Sequence, residues 1–377
     1  MSRIDDLIKE KCPNGVKYKK LNELIDYIQP TKYIVNDTNY SNNYKVPVLT
    51  AGQTFILGYT NEDDGIYRAN KDNPVIIFDD FTTSNHWIDF NFKVKSSAMK
   101  ILVPKTNNNF KYIYYCISNI KYVPKEHSRQ WIQNFSEFKI PLPPLAVQEE
   151  IVKILDKFEE LEAELEAELE ARKRQYRFWL GKILKGNEKK YITLGDIGNV
   201  CMCKRIMKSQ TFDKGDVPFY KIGTFGKEAD AYISYDIFNE YKSNYSYPKK
   251  GDILVSCSGT IGKTVIFDGK DSYFQDSNIV WLNNDESKVL NKFLYYYYQM
   301  SPWKISDGGT IKRLYNNQFI SAKIPLYSIK EQKKIISILD IFDKLINDIS
   351  EGIPAEIELR RKQYEYYRNK LLNFEEI

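Results

Sequence analysis

Few residues in this 377-residue chain have the types and spacing that bond-making chemistry needs. The nearest to a catalytic motif is CSGTIGKT, Cys257 to Thr264, which follows the strand-like GDILVS. A phosphate-wrapping loop requires G-x-x-x-x-G-K-[ST] and then a helix, because backbone N–H groups must surround the phosphates. Here Cys257 stands at the first glycine position, and the following VIFDGK reads as another strand and a turn. The segment is predicted to be a Gly-rich hairpin exposed for contact. Cys201 and Cys203 flank Met202 with no second thiol pair and no nearby histidine, so their spacing does not make a zinc site. His86 and His127 are the only imidazoles, and neither has a Ser or Cys partner at a recognisable spacing. His86, in TTSNHW, reads as a loop contact residue. The carboxylates of Asp156 to Glu170 are explained by a solvated helix face. No N-P-P-[YF] tetrapeptide of an amino-methyltransferase and no dinucleotide fingerprint is present. No catalytic constellation emerges, and binding becomes the chemistry to look for.

Composition points the same way. With 42% apolar residues, 14% aromatics and 28% charged residues, the chain can bury sizeable cores in two or three domains. Its net charge is +5, but Glu149 to Glu170 holds ten acidic and two basic residues, so the remainder carries +13. A basic surface rich in Tyr, Phe, Lys and Asn suits a polyanion, since Lys and Arg release phosphate counterions while polar side chains reach base edges. Such an excess also serves solubility alone. The five cysteines suggest no disulfide framework. No stretch approaches the ~18 consecutive apolar residues of a membrane span, and MSRIDDLIKEK lacks the apolar core of a signal peptide. No membrane partner is expected, and the expected compartment is the cytoplasm.

The elements that must position any binding residues are disclosed by an internal repeat. KIPLPPLAVQEEIVKILDKF, Lys139 to Phe158, aligns without gaps on KIPLYSIKEQKKIISILDIF, Lys323 to Phe342, with ten of twenty positions identical at an offset of 184. ARKRQY at Ala171 matches LRRKQY at Leu359 at an offset of 188, and KYKKL at Lys17 is echoed by KYITL at Lys190. The chain therefore reads A, B, A′, B′. In B, the apolar residues Ile151, Ile154, Leu155, Phe158, Leu161, Leu165 and Leu169 fall on one helix face, with Pro143 and Pro144 at the entry and Gly181 and Gly186 at the exit. In B′, Ile335, Ile338, Leu339, Phe342, Leu345 and Ile349 repeat the stripe. Gly352 and Pro354 are then expected to kink or break that helix before it resumes over Ile357 to Leu372. Neither helix can bury its stripe alone, so the two are expected to pair as an intramolecular antiparallel coiled coil with A and A′ at opposite ends and an approximate two-fold axis. Within B lies a tandem repeat, LEAELEAELEAR, whose leucines Leu161, Leu165 and Leu169 recur every four residues. Gain or loss of one unit changes a helix by about 6 Å without breaking it.

The A segments, Tyr18 to Pro141 and Tyr191 to Pro325, alternate β-rich runs such as NPVIIFDDF, AMKILVP, GDILVSC and NIVWL with Gly, Asn and Asp turns. Each ends near a helix-like aromatic run, KYIYYCISNI or NKFLYYYYQM, read as core rather than as a base-stacking platform. The expected class is α/β (α+β), two copies, with domain limits at 1–144, 145–187, 188–326 and 327–377.

In combination these features resemble the specificity subunit of a type I restriction-modification enzyme, and the resemblance covers essentially the whole chain. Its carriers are the two variable units, each running into KIPLPPLAVQEEIVKILDKF or its cousin, ARKRQYRFWLGKIL closing the first helix, and the GDILVSCSGTIG hairpin. The LEAE units are similar to the spacer-setting repeats of one branch, and the Gly352 to Pro354 interruption is the one departure. The resemblance implies a non-catalytic DNA-reading subunit with two target recognition domains, itself without cofactor or metal. Two methyltransferase subunits would bring S-adenosylmethionine, and motor-nuclease subunits would bring ATP and Mg.

Two unlike domains held at a fixed separation would read an asymmetric two-part sequence in double-stranded DNA. Donors, acceptors and cations suited to that task are Gln53, Arg68, Thr82, Thr83, Ser84, Asn85, His86, Lys95, Ser97 and Arg129 in the first unit. In the second they are Lys204, Arg205, Lys221, Ser258, Thr260, Lys263, Gln275, Asn278, Lys312 and Arg313. The alternative is a coiled-coil scaffold that binds nucleic acid without sequence choice. A further rival, an intrinsic methyltransferase or nuclease, predicts activity from the isolated chain.

Overall fold

The computed structural model describes residues 2–51, 54–185, 190–303, 305, 312–348 and 350–377. The chain folds as two compact units, residues 1–165 with 357–377, and residues 166–356. The first contains β1 (Lys17–Lys20), β2 (Ile25–Ile28), β3 (Val46–Leu49), β4 (Ile56–Thr60), β5 (Val75–Asp79), β6 (Asn85–Ile88), β7 (Lys93–Val94), β8 (Met99–Pro104) and β9 (Lys139–Leu142). The second contains β10 (Tyr191–Thr193), β11 (Gly198–Cys201), β12 (Val217–Tyr220), β13 (Tyr232–Ile233), β14 (Ile253–Ser256), β15 (Thr264–Ile266), β16 (Tyr273–Phe274), β17 (Ile279–Asn284) and β18 (Lys323–Pro325).

The two units share one topology. A four-stranded sheet runs β2-β8-β5-β6 in the first and β11-β17-β14-β15 in the second. A three-stranded sheet runs β4-β3-β7 in the first and β13-β12-β16 in the second, its last pair parallel in both. The repeat blocks close each unit on itself. KYKK pairs antiparallel with KIPL, Lys17 opposite Leu142, and YIT pairs with KIP, Tyr191 opposite Pro325. In the first unit Val16 also donates its amide to the Glu375 carbonyl at 2.8 Å, tying the C-terminal residues to β1.

The central strands are apolar runs buried along their length, Val75 to Asp79 and Ile253 to Ser256, because a helix covers one face and a second sheet the other. Those helices are the aromatic runs, Phe110–Asn119 and Asn291–Tyr298, and their tyrosines Tyr112, Tyr115, Tyr296 and Tyr298 are core residues, as expected.

The helix of B spans Leu145–Lys185. Gly181 does not end it, since the backbone remains helical to Lys185; Gly186 and Ile349 lie outside the described residues. B′ forms two helices, Ile329–Asn347 and Ile353–Leu371; the break falls at Gly352 as expected, but the helix resumes four residues before the expected Ile357 and Pro354 does not interrupt it. The Gly352 amide donates to the Asp348 carbonyl at 3.0 Å, and an added Cβ there would lie 2.7 Å from two carbonyl oxygens, so only glycine fits the break. The second helix resumes at Ile353, with Pro354 inside its first turn, where no amide partner is needed.

Helix pairing is antiparallel within each unit. In the first, Phe158 stacks on Tyr367 at 5.4 Å, Glu159 accepts from the Tyr364 hydroxyl at 3.2 Å and Glu162 pairs with Arg361. In the second, Tyr176 meets Phe342 at 6.2 Å and the Tyr327 hydroxyl donates to the Ile183 carbonyl at 3.1 Å.

Two polar identities of the repeat are locks. Gln148, buried, takes the Asn109 amide at 3.0 Å and donates to the Pro143 carbonyl at 2.8 Å. Gln332, buried, takes the Leu290 amide at 2.8 Å and donates to the Lys288 and Tyr327 carbonyls. Asp156 accepts from Tyr115 and Asp340 from Tyr296, which holds each aromatic helix to its long helix; burial first, and the carboxylate second, push both phenols far up.

Candidate nucleic-acid interface

Polar residues concentrate where the central strand of each unit turns back on itself. In the first unit the β5–β6 turn is built by Asp79, whose carboxylate accepts from the Phe81 amide at 2.9 Å and from the Thr82 hydroxyl. Thr82 and Ser84 are exposed at the tip and bonded to each other at 3.1 Å. Thr83 is buried in the left-handed region at φ +63°, its hydroxyl donating to the Thr82 carbonyl at 2.6 Å. Asn85 accepts from Ser118 at 2.6 Å; His86, expected on a loop, instead lies within β6 opposite Ile77 and stacks on Phe55 at 3.8 Å, where burial lowers its pKa and favours the neutral imidazole. His127, assigned no role from the sequence, stacks on Phe81 at 4.7 Å beside the same turn.

Lys95 and Ser97 lie on the loop entering β8, Lys95 reaching the Tyr40 hydroxyl at 3.3 Å. Arg129 approaches the same strand end, Nη1 3.8 Å from Asp80 Oδ2. Arg68 is exposed on the loop after Tyr67, and Gln53 lies outside the described residues. Beneath Arg129 sits a buried polar group that spacing did not reveal. Asp80 and Lys100 are 3.6 Å apart, and Lys100 donates to Gln29 at 2.8 Å. Burial lowers the Lys100 pKa against the opposing pull of Asp80. An aspartate and a lysine inside apolar strand runs were the available signal.

In the second unit CSGTIGKT is a hairpin joining β14 to β15, the predicted form. Thr260 is exposed at its tip, Ser258 donates to Asn278 at 2.8 Å and the Lys263 ammonium is drawn inward to the Phe225 carbonyl. Beside the hairpin a cleft of about 560 Å³ brings together Arg205, Lys221, Gln275, Asn278 and Arg313, residues spread over more than a hundred positions. Its walls also carry Lys208, Asp230 and Asp276, which the sequence did not single out. Arg205 pairs with Asp276 at 3.1 Å, Lys221 with Asp230 at 2.9 Å, and Gln275 accepts the Ile222 amide at 2.9 Å. Lys204 lies over the Tyr245 ring at 4.8 Å, and Lys312 is exposed next to Arg313.

This arrangement offers alternating cations, acids, amides and hydroxyls on an open surface, which suits a duplex better than a reaction centre. Burial pushes the Cys203 thiol up to about 12 and the Cys257 thiol to about 11, keeping both protonated and unsuited to nucleophilic attack. Among the described residues no group of three or more His, Cys, Asp or Glu is placed to hold a metal, and no helix is long and apolar enough to cross a membrane. Leu161, Leu165 and Leu169 are half-buried on the long helix, with Glu164, Glu166 and Glu168 facing solvent.

Two copies of the family model for the type I restriction modification DNA specificity domain match the chain, over residues 13–171 and 187–359. A Haemophilus influenzae protein named as a type I restriction enzyme specificity subunit is 45% identical, the match covering 97% of this chain and 98% of that one. The Escherichia coli type I restriction enzyme EcoR124I/EcoR124II specificity subunit is 40% identical, over 97% and 96%. Among solved structures, a chain of a type I restriction-modification system, described for its complex assembly and conformational transition, aligns with TM-score 0.61 at 14% identity, covering 96% of this chain and 99% of that one. An S subunit from M. genitalium aligns with TM-score 0.55 at 15% identity, covering 96% and 97%.

Proposed function

This chain belongs to the type I restriction-modification DNA specificity family, and from that premise we propose that it is the subunit that reads DNA sequence for a complex that methylates adenine and cuts. The observation that carries the reading is the pairing of one topology, present twice, with unlike polar surfaces at the two equivalent strand ends. A duplicated frame with different contact residues reads two different half-sites, and base edges in the major groove supply the distinguishing donors and acceptors. A scaffold binding nucleic acid without choice would need no such divergence. The chain is non-catalytic in itself. Its partners are double-stranded DNA, two methyltransferase subunits and motor-nuclease subunits, with S-adenosylmethionine, ATP and Mg held by those partners, and its working compartment is the cytoplasm.

Contacts to DNA are assigned to the turn and cleft residues. In the first unit these are Thr82, Ser84, Asn85, His86, Lys95, Ser97, Arg129 and Arg68, with Gln53, outside the described residues, kept on sequence grounds alone; in the second they are the cleft set with Lys204, Ser258, Thr260 and Lys312, whereas Thr83, buried, and Lys263, turned inward, shape their turns rather than reach outward. The LEAE run, Leu161 to Arg172, sets the gap between the half-sites. Deleting Leu165 to Glu168 removes about 6 Å of helix. At ~3.4 Å per base pair the preferred gap shortens by about one or two pairs. Methylation mapping of the deletion variant reads this directly, and an unchanged gap refutes it. For the main reading, a mobility-shift assay with the methyltransferase subunits present should retain the recognised duplex and release its scrambled version. Equal retention of both contradicts sequence choice.

A further inference from the structure

Arg129 and Arg313 occupy one and the same place in the two units. They are separated by 184 residues, the offset that relates Lys139 to Lys323. The backbone confirms the equivalence by four hydrogen bonds. In the first unit the amide of Asp80, the residue after β5, donates to the Ala98 carbonyl at 2.9 Å, and the amide of Gln130 donates to the Asp80 carbonyl at 2.7 Å. In the second the amide of Cys257, the residue after β14, donates to the Asn278 carbonyl at 2.7 Å, and the amide of Leu314 donates to the Cys257 carbonyl at 2.9 Å. Each arginine thus immediately precedes the residue that clips its loop onto the end of the central strand.

Apart from Ser97 and Ser277, which correspond and share their identity, the residues at the end of the central strand below the two arginines differ. The position below Arg129 is the buried Asp80, and its counterpart below Arg313 is Cys257. Ala98 corresponds to Asn278, and Lys100 to Val280. The intramolecular anchors differ as well: Arg129 Nη1 lies 3.8 Å from the Asp80 carboxylate, whereas Arg313 Nη2 donates to the Ser277 carbonyl at 2.8 Å. A guanidinium kept while its own support is rewritten is not explained by that support. Both are only partly buried, the Arg129 side chain being 45% exposed, so each has an edge to offer outward.

Two units that read different bases still meet one chemistry in common, the sugar–phosphate backbone. A planar guanidinium anchored on one edge presents a second pair of N–H donors whose spacing matches two phosphate oxygens. We infer that Arg129 and Arg313 are a matched pair of phosphate contacts, one in each unit, that fix register on the duplex and take no part in base choice. The inference rests on the DNA-reading function proposed above. Base choice then falls to the hairpin tips that differ, Thr82 to Ser84 with the adjoining strand residues Asn85 and His86 in the first unit, and Ser258 to Gly262 in the second.

Full-length Arg129→Gln and Arg313→Gln chains, each assembled with the methyltransferase subunits, test the pair. Affinity is measured against salt on the recognised duplex and on a scrambled one, and the methylated sequence is mapped. Each substitution should lower affinity for both duplexes by a similar factor, roughly five-fold near physiological salt, and reduce the salt slope by about 0.9. The methylated sequence should stay as it is. Arg129→Gln leaves Asp80 without that cation and can loosen the first unit, which a thermal melt detects; Arg313→Gln has no such acid at the equivalent position and carries the decision if the first variant is unstable. A changed or relaxed base preference in either half, or an unaltered salt slope, overturns the inference while leaving the function standing. If the unsubstituted complex does not distinguish the two duplexes, it is the functional reading that fails.

Discussion

The two units build the same hairpin with different tips. In the first, the Asp79 amide bonds the Ser84 carbonyl at 2.8 Å and four residues form the turn. In the second, the Ser256 amide bonds the Lys263 carbonyl at 2.9 Å and six residues form it. Both turns close through the same kind of bond, from the Thr83 amide to the Asp79 carbonyl and from the Gly262 amide to the Ser256 carbonyl, each 2.9 Å. Both closing residues have positive φ, +63° and +85°, but one is a buried β-branched threonine and the other a glycine. The frame is therefore tolerant of what it carries: the strand pairings and helix locks persist while the exposed chemistry and even the local strain change.

Exchange of a whole unit separates the contributions of the two units most cleanly. Replacing Tyr191 to Pro325 with the corresponding segment of another family member should change one half of the methylated sequence completely and leave the other half intact. A change in both halves would show that the units do not read independently.

Smaller in effect, but equally diagnostic, are the helix locks. Gln148→Ala and Gln332→Ala each strand a backbone amide and carbonyl groups in a buried setting, which costs about 1–3 kcal/mol. Hydrogen exchange should show Gln148→Ala loosening the first unit and Gln332→Ala the second, by similar amounts. Unequal losses would mean that the two locks are alike in geometry but not in weight.

The turns provide the finest test. Thr83→Gly removes the steric penalty of a left-handed threonine, partly offset by glycine's greater freedom when unfolded, and should raise stability by about 1 kcal/mol. The converse, Gly262→Thr, should cost about 2 kcal/mol, because a Cβ there also meets the Trp303 ring at 3.1 Å. Chemical denaturation of both variants checks the signs. If Thr83→Gly is stable yet loses recognition, the strained threonine is held for the contact it shapes.

How much of this was legible without coordinates depended on what each residue does. The repeat stood out because Gln148 and Gln332 make buried bonds to backbone groups, and Asp156 and Asp340 hold a core tyrosine from a partly exposed position, so each pair does the same work in both units. The common topology of the sheets was hidden, since a β register is held by backbone bonds and tolerates Ile77, Phe78 and Lys100 in one unit where the other has Leu254, Val255 and Val280. The equivalence of Arg129 and Arg313 lay within the same offset of 184 but beyond the aligned block, where Phe135 and Phe319 are the next shared residue. Asp80 with Lys100 showed only as charges within apolar strand runs, and the acids of the second cleft had no motif to announce them, because contacts that span nine residues in one pair and seventy-one in another leave no fixed spacing.

Genome-wide mapping of methylated adenines, in strains that carry the methyltransferase subunits with and without this chain, decides whether the chain selects the methylated sequence. One asymmetric sequence in two parts, separated by unread positions, should be methylated only when the chain is present. Methylation that persists unchanged in its absence, or that follows a single uninterrupted motif, would contradict such selection.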